Sequence, residues 1–396
     1  MEAESFMHRL KREHIYFILI ILIIFCVFQY GMQKICGFTL YPDEFGYWAS
    51  AAAAVGYDWS EVASLGSYYS FGYSVILMPI LKIFTNGVTA YRAALGVNML
   101  LMCVSMLLLF DGTGRIFPDI TRTKRMFMGG IAVLYPTWIF YMQMTLAEAL
   151  LMFLFSLIVW LLICFLQKPA IWKMAILALV LMYTYSVHMR TVGVLIACLI
   201  TLLLWGLTNP SMKRQLLIGM SILAVAGIIV VILKRNVLFT VFSKADGEML
   251  SANDYASQVW KIRQILTLRG FFVLIQEILA KLFYLGMASF GIVYWAMGWC
   301  MKEAIRLVRG IIKEKRHIGT TRQWLALFLL MALAGEVLIC SIYMHGTKLI
   351  DGLVYGRYIE FLMPVLLVVG IAAMLQMRWG IKMVLLTEAV SGILLL

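Results

Sequence analysis

The sequence has little charge, and it lacks the short motifs that mark several common kinds of site. Asp, Glu, Lys and Arg make up 13% of its 396 residues, whereas about a quarter of a typical soluble domain is charged. Its seven cysteines form no CxxC pair and no zinc-ligand spacing, and no HExxH motif occurs. The composition therefore argues against a soluble protein, and the cysteine pattern argues against a disulfide framework or a zinc site.

Long apolar runs take the place of charge. Hydrophobic residues make up 63% of the chain, and apolar runs of about 20 residues, the length that spans a bilayer as a helix, recur throughout. No stretch is polar enough to be a separate soluble domain, so we expect residues 1–396 to form a single all-α, polytopic transmembrane domain. The net charge of +13 is typical of basic cytoplasmic loops and does not require a nucleic-acid partner.

The apolar runs predict eleven transmembrane helices. They cover residues 15–32, 88–110, 126–144, 146–166, 171–187, 191–207, 215–233, 284–301, 323–344, 355–375 and 380–396. The basic N-terminal segment precedes the first run, and no small-residue cleavage site follows it. We therefore expect an uncleaved first helix with a cytoplasmic N-terminus.

Residues 70–86 form a shorter run that contains Pro79 and Lys82. If this run lies on the outer surface as an amphipathic helix, more of the Lys and Arg residues fall in cytoplasmic loops than if it crosses the membrane. The positive-inside rule therefore favours the surface position.

This arrangement leaves three outer loops, which we expect to form the functional face: residues 33–87, 234–283 and 345–354. Within the second of them, "QVWKIRQILTLRGFFVLIQEILAKLF" predicts an amphipathic surface helix or a pair of helices. The basic cytoplasmic segment 302–322 is expected to contact anionic lipid.

Two adjacent carboxylates, Asp43 and Glu44, lie in the first outer loop within an aromatic belt that includes Tyr41, Tyr47 and Trp48. Exposed loop carboxylates are usually just solvated, which is the simpler interpretation. At a membrane surface, partial desolvation and mutual repulsion instead raise a carboxyl pKa and prepare a general base. The residues themselves leave both interpretations open.

Further ionisable groups lie near the outer ends of the predicted helices. Glu148 follows Thr145 at the start of the fourth span, where the two either form a capping box or Glu148 belongs to a site. His188 and Arg190 separate the fifth and sixth spans. Arg190 there either snorkels to the interface or clamps an anion.

The tenth span opens with Arg357 and Glu360, three residues apart. They either pair on one helix face or leave Arg357 to meet a phosphate at the outer leaflet. Glu336 lies inside the ninth span, where a charge is seldom without a role. Neither Asp43 nor Arg190 was used to choose the arrangement of loops, yet both fall on the outer face.

In order and context, these motifs resemble the polytopic GT-C glycosyltransferases that use lipid-linked sugars, in particular the protein O-mannosyltransferase and aminoarabinose-transferase branch. "YPDEFGYWA" resembles the acidic motif of the family's first outer loop, and "YYSFGYSVILMPILKIF" resembles its amphipathic segment. "AYRAALGVNMLLMCVSMLLLF" is similar to its second span, which commonly opens with an Arg, here Arg92. "YPTWIFYMQMTLAEALLMFLF" is similar to its third–fourth hairpin, and "YGRYIEFLMPVLLVVG" to the Arg-Tyr opening of a late helix.

The resemblance covers most of residues 10–375, although positions 42–45 read Pro-Asp-Glu-Phe and match no single branch. It implies a GT-C-like fold and an inverting transferase that moves a hexosyl or pentosyl group from a polyprenyl-phosphate donor to a glycan, lipid or protein acceptor. Asp43 would act as the general base, and Glu44 would orient the acceptor or the base. The donor phosphate would be bound by Arg190, Arg357, His188 and Tyr358.

The same resemblance implies site support from Tyr41, Tyr47, Trp48, Arg92 and Glu148. Some members of the family need a divalent cation such as Mg²⁺ or Mn²⁺, and one carboxylate pair does not assign a metal. The site would face the extracytoplasmic side of the plasma (inner) membrane and serve the cell envelope. A Met-rich chain without a signal peptide points to a bacterium.

Three other functions compete with this one. A transporter or flippase of a lipid-linked sugar would share the helices and the outer anion site. It would also predict charges through mid-membrane and related halves, whereas Glu336 is the main mid-span charge and no two halves match. A membrane acyltransferase or polymer ligase is the next candidate, but an acyltransferase would need a histidine within a span, and none of the five histidines is mid-span. An intramembrane protease would need HExxH or paired Asp residues within spans, and the sequence has neither.

Overall fold

The computed structural model describes residues 2–39, 41–64, 70–242, 259–313, 319–346 and 352–376, and all regular structure in these ranges is helical. The helices are α1 (Glu2–Gln29), α2 (Asp43–Ala54), α3 (Ser60–Ser64), α4 (Ser74–Ile83), α5 (Gly87–Ile116), α6 (Arg122–Val133), α7 (Pro136–Met142), α8 (Ala147–Gln167), α9 (Ile171–Val187), α10 (Val192–Thr208), α11 (Lys213–Val241), α12 (Val259–Ile265), α13 (Leu268–Ala288), α14 (Ile292–Lys313), α15 (Thr321–Met344) and α16 (Met363–Gln376).

Seven helical stretches in the described part of the chain are long and apolar enough to cross a membrane. They are His14–Lys34, Gly87–Ile116, Ala147–Gln167, Met189–Thr208, Pro210–Val241, Leu268–Ala288 and Thr321–Met344. Six of them match predicted spans, namely 15–32, 88–110, 146–166, 191–207, 215–233 and 323–344. The protein is therefore an all-α chain with the helices of a membrane-embedded protein.

Two of the predicted spans are not continuous helices. Residues 126–144 form α6 and α7 instead of one helix. Pro136 starts α7, because a proline lacks the N–H that would continue a helix from the preceding turn. The run 284–301 is divided between α13 and α14 at Phe290 and Gly291, which have φ values of 50° and 72°. These left-handed residues end α13, and the Gly291 N–H donates to the Gly286 carbonyl at 2.7 Å.

The remaining predicted spans differ in length or lie elsewhere. Helix α9 has the predicted bounds, but its 17 residues make it shorter than the seven stretches above. In place of 355–375, a 3₁₀ turn at Glu360–Leu362 leads into α16. The predicted span 380–396 lies outside the described residues.

The segments predicted to lie on the surface are also helical. Helix α4 has ten residues, which at 1.5 Å per residue are too few to cross a bilayer. The stretch "QVWKIRQILTLRGFFVLIQEILAKLF" forms two helices, α12 and α13, and α13 is among the seven long apolar stretches.

Helix α8 lies at the centre of the fold, and 78% of its most apolar 18 residues are buried. It contacts α5, α9, α15 and α16. Beside it, α10 and α15 approach at two glycines, where a Cβ on Gly335 would lie 3.3 Å from the Cα of Gly193. Small residues of this kind let membrane helices pack closely. The contact also brings Glu336 to the start of α10, where its Oε1 accepts from the Val194 N–H at 2.9 Å. Glu336 therefore caps a neighbouring helix.

Gly193→Ala is expected to lower the free energy of unfolding by about 1–3 kcal/mol through overpacking. A Cβ at Gly193 would meet Glu336 Oε1 at 2.7 Å and the Glu336 backbone nitrogen at 3.0 Å. Gly96→Ala is the matched control, since a Cβ there meets nothing within 4 Å and alanine favours the helix. Thermal unfolding in one detergent compares the variants, and equal stability of the two would refute the close contact.

Candidate functional site

The first turn of α2 places two carboxylates side by side and gives them different surroundings. Pro42 precedes the helix, and Asp43 and Glu44 form its first turn, where the helix dipole favours negative charge. Both side chains are buried. The solvated interpretation of this pair is therefore wrong.

Asp43 belongs to an ionic cluster drawn from four distant parts of the chain. Arg357 donates through Nη2 to Asp43 Oδ2 and through Nε to Glu148 Oε1 at 2.8 Å. Arg190 donates through Nη2 to the same Glu148 oxygen at 3.1 Å. Two carboxylates and two guanidinium groups thus neutralise one another, and we call these four residues the ionic cluster.

Several polar atoms of the ionic cluster have no hydrogen-bond partner within the described part of the chain. Arg190 is 7% exposed, and its Nε and Nη1 atoms are buried without an acceptor; Glu148 Oε2 is likewise buried without a donor. Buried polar groups are nearly always satisfied, and an exception calls for an explanation. N–H groups of a guanidinium that point into such a site are suited to an oxyanion.

Aromatic rings enclose the two arginines. The Arg190 guanidinium lies 4.9 Å from the centre of the Tyr358 ring and 5.9 Å from that of Phe361, and Arg357 lies 5.4 Å from that of Tyr41. These are cation–π distances, at which a ring stabilises a cation without neutralising it. Tyr358 thus contacts Arg190 through its ring face.

His188 supports the Arg190 turn. Its Nδ1 accepts from the Arg190 backbone N–H at 3.3 Å. Burial, together with the nearby Arg190, Arg357 and Lys234 cations, lowers the pKa of His188 well below its usual value, so the imidazole is neutral at pH 7. Burial acts to lower the pKa of Arg357 too, but Glu148 and Asp43 outweigh it and raise that pKa, so Arg357 stays charged.

Glu44 is enclosed by hydrogen bonds. Its Oε1 accepts from the Tyr91 hydroxyl at 2.7 Å and from the Thr145 N–H and hydroxyl at 2.8 and 2.6 Å. Its Oε2 accepts from the Thr39 N–H and hydroxyl at 2.6 and 2.7 Å. A carboxylate with five donors holds surrounding segments together, so this geometry favours a positioning role for Glu44 over direct catalysis.

The capping box proposed for Thr145 and Glu148 does not form. Leu146 is the N-cap of α8 and makes no side-chain cap. Thr145 instead donates to Glu44 and accepts from the Trp48 indole N–H at 2.9 Å. Glu148 is thereby left to bind both arginines.

The predicted pairing of Arg357 with Glu360 is also wrong. Glu360 accepts from the hydroxyls of Thr137, at 3.2 Å, and Tyr284, so it joins α7 to α13. Arg92, predicted to support the site, donates instead to the backbone carbonyls of Ile35 and Gln33, both at 2.9 Å. It holds the chain after α1 against α5.

Tyr47 lies deep beside the ionic cluster. It is 2% exposed and packs edge-on against Tyr73, with ring centres 5.4 Å apart. Burial, with the Glu148 and Asp43 carboxylates nearby, raises the pKa of Tyr47 well above its usual value, so the phenol stays neutral.

Four residues near the ionic cluster were not predicted. The Lys234 ammonium contacts the Met189 sulfur next to Arg190. Lys261 donates to the Tyr343 carbonyl, and the rings of Tyr343 and Tyr355 pack on Tyr358 with centres 5.3 and 5.0 Å apart. Both lysines belong to the predicted second outer loop. Sequence reasoning therefore found the loop but had no signal to select these side chains.

The carboxylate pair of α2 does not fit a divalent cation. Glu44 has its oxygens occupied by five donors, and Asp43 is paired with Arg357. In the described part of the chain, no three His, Cys, Asp or Glu side chains cluster as metal ligands.

No protein-family model matches the chain, and no curated protein sequence matches it. Its function is therefore inferred from the order of its motifs and the geometry of its site.

Glu148→Gln is expected to lower the free energy of unfolding by about 3–5 kcal/mol, since it leaves two buried guanidinium groups with one carboxylate. Asp111→Asn is the matched control, because the Asp111–Arg115 pair, at 2.6 Å, is 38–46% exposed and should contribute less than about 1 kcal/mol. Unfolding of both variants in the same detergent measures the difference. Similar losses would mean that the ionic cluster is not a stabilising unit.

Glu44→Gln is expected to destabilise the protein by about 2 kcal/mol, because an amide NH₂ faces donors that a carboxylate oxygen accepted. The exposed Glu61 of the next helix provides the control, Glu61→Gln, with an expected change below about 0.5 kcal/mol. The same unfolding assay applies. A Glu44→Gln protein as stable as the control would show that the five hydrogen bonds are not needed.

Proposed function

We propose that the protein is a membrane glycosyltransferase of the GT-C type, which moves a sugar from a polyprenyl-phosphate donor to an acceptor hydroxyl. The observation that carries the proposal is Arg190. Its side chain is buried, two of its nitrogen atoms lack an acceptor, and it lies in one cluster with a second arginine and with the carboxylate expected to act as base.

The anionic part of the donor matches the cationic side of this site. Two guanidinium groups, those of Arg190 and Arg357, meet at the Glu148 carboxylate, and Arg190 has buried nitrogen atoms that no described residue accepts from. A phosphate group bound at Arg190 would supply the missing acceptors. The same contacts stabilise the charge that develops on the leaving phosphate.

The Asp43–Arg357 ion pair suggests how donor binding activates the base. While Arg357 donates to Asp43 Oδ2, that carboxylate oxygen is occupied by the guanidinium and is not free to meet an acceptor hydroxyl. A donor phosphate competes for the Arg357 guanidinium. Its arrival releases Asp43 from the ion pair and directs it to the acceptor hydroxyl.

The reaction then takes place in one displacement. The acceptor oxygen attacks the anomeric carbon, and its proton passes to Asp43. The bond from the anomeric carbon to the phosphate oxygen breaks, and the electron pair leaves with the polyprenyl phosphate, which Arg190 and Arg357 bind. Attack opposite to the leaving group inverts the anomeric configuration.

The distribution of basic residues supports the orientation. With a cytoplasmic N-terminus and the eleven spans predicted from the sequence, most Lys and Arg residues would lie in cytoplasmic loops, and the ionic cluster would face the extracytoplasmic side. We place the enzyme in a bacterial plasma membrane, with a glycan, lipid or protein of the cell envelope as its acceptor.

Asp43→Asn is expected to slow sugar transfer at least about 100-fold while the protein stays folded. Release of polyprenyl phosphate is measured from a panel of polyprenyl-phosphate sugars, with purified protein in lipid nanodiscs, with and without a chelator. Asp119→Asn is the matched control, because Asp119 is exposed and far from α2 in sequence. Full transfer by Asp43→Asn would refute its role as base.

Arg190→Ala in the same assay is expected to reduce release about 100-fold by removing a donor to the phosphate. If wild type turned over no donor but bound one, and Arg190→Ala weakened that binding, transport of a lipid-linked sugar would replace transfer as the proposed function.

A further inference from the structure

A cavity of about 600 Å³ lies between the segment after α1, helix α2 and the start of α5. Its inner wall consists of three rings in contact, Phe38, Trp48 and Tyr91. Their centres are 5.9 to 6.3 Å apart. Tyr57 and Trp59 also line it, and Tyr57 is half-exposed. The volume is in the range of pockets that hold small ligands.

The lining of this aromatic cavity suits a neutral ligand. Among the described residues that line it, none carries a charge and none belongs to the ionic cluster. Its polar groups include Asn86, Thr85 and the Tyr57 phenol. Asn86 caps α5 through Oδ1, which accepts from the Thr89 N–H at 3.0 Å, so its amide N–H groups are available for another partner. An anion would find no counter-charge among these lining side chains.

The aromatic cavity is linked to the candidate base through its inner wall. Tyr91 donates to Glu44 at 2.7 Å, and Trp48 donates to Thr145, which in turn donates to Glu44. Glu44 adjoins Asp43 in the first turn of α2. A ligand against Trp48 and Tyr91 therefore lies one layer of side chains from the first turn of α2.

We propose that the aromatic cavity binds a neutral sugar ring of the acceptor, which makes the acceptor a hexose-based glycan. A pyranose has apolar C–H faces that stack on Trp and Tyr rings, and hydroxyl groups at its edge that meet amide and phenol groups. An aliphatic lipid chain could not form hydrogen bonds with the amide and phenol groups. This inference rests on the proposed function and names the acceptor class that it left open.

The test uses Cys36, an exposed thiol that lines the aromatic cavity. Its rate of alkylation by N-ethylmaleimide is followed by peptide mass spectrometry, in lipid nanodiscs free of sugar-based detergent. The probes are maltose, cellobiose, lactose and N,N′-diacetylchitobiose. At least one should slow the alkylation of Cys36 saturably. Glutathione added to the same nanodiscs is the control thiol, and the sugars should leave its rate of alkylation unchanged.

Trp59→Ala and Tyr57→Ala should each raise the half-protecting sugar concentration about two- to tenfold, the effect of losing one stacked ring. The half-exposed Tyr57 serves as the variant least prone to misfold. Trp172→Ala is the matched control, because Trp172 is 60% exposed and does not line the cavity; it should leave protection unchanged.

The possible results separate this inference from the proposed function. If no neutral sugar protects Cys36, or if protection follows the lipid content alone, the sugar site is overturned, whatever the donor assay gives. If sugars protect Cys36 but no donor turns over, the sugar site stands and the assignment of its ligand as an acceptor fails. Protection together with a raised acceptor KM in Tyr57→Ala supports both.

Discussion

The arrangement of the site depends on one buried carboxylate. Glu148 sits at the start of the most buried helix, and a single oxygen of its carboxylate accepts from Arg190 and Arg357. A charge so placed is tolerated only with opposite charge beside it. Arg357 in turn binds Asp43. The arginine that neutralises Glu148 therefore also holds α2 against the helical core. Stability and chemistry therefore use the same contacts.

Asp43 and Glu44 are neighbours in α2, but their different surroundings give them different roles. Glu44 meets donors from the chain before α2, from α5 and from the α7–α8 connection, so it ties three segments together. Among the described residues, Asp43 accepts from Arg357, a long and flexible side chain that can exchange it for another anion. Glu44 is held by hydrogen bonds, whereas Asp43 is held by an ion pair that a ligand can break.

Much of the helical framework could be predicted, because length and hydropathy are local properties of the sequence. The break at Pro136 was missed although the proline itself is a sequence signal for it. The left-handed turn at Phe290–Gly291 has no such signal in an apolar run. Charge distribution put the acids and arginines on one face. The distribution of charge did not predict which groups pair. Arg357 binds Glu148 and Asp43 and not Glu360, which is only three residues away, and tertiary packing determines this choice. The roles of these residues in sugar transfer stay predictions.

The separation of the cluster along the chain has a consequence for biosynthesis. Glu148 and Arg357 are 209 residues apart, so a ribosome that adds roughly 5–20 residues per second needs on the order of 10–40 s between them. During that interval, α8 enters the bilayer with at most one of the two guanidinium groups that later bind Glu148. Glu148 therefore gains its full set of cationic partners only after translation has passed Arg357.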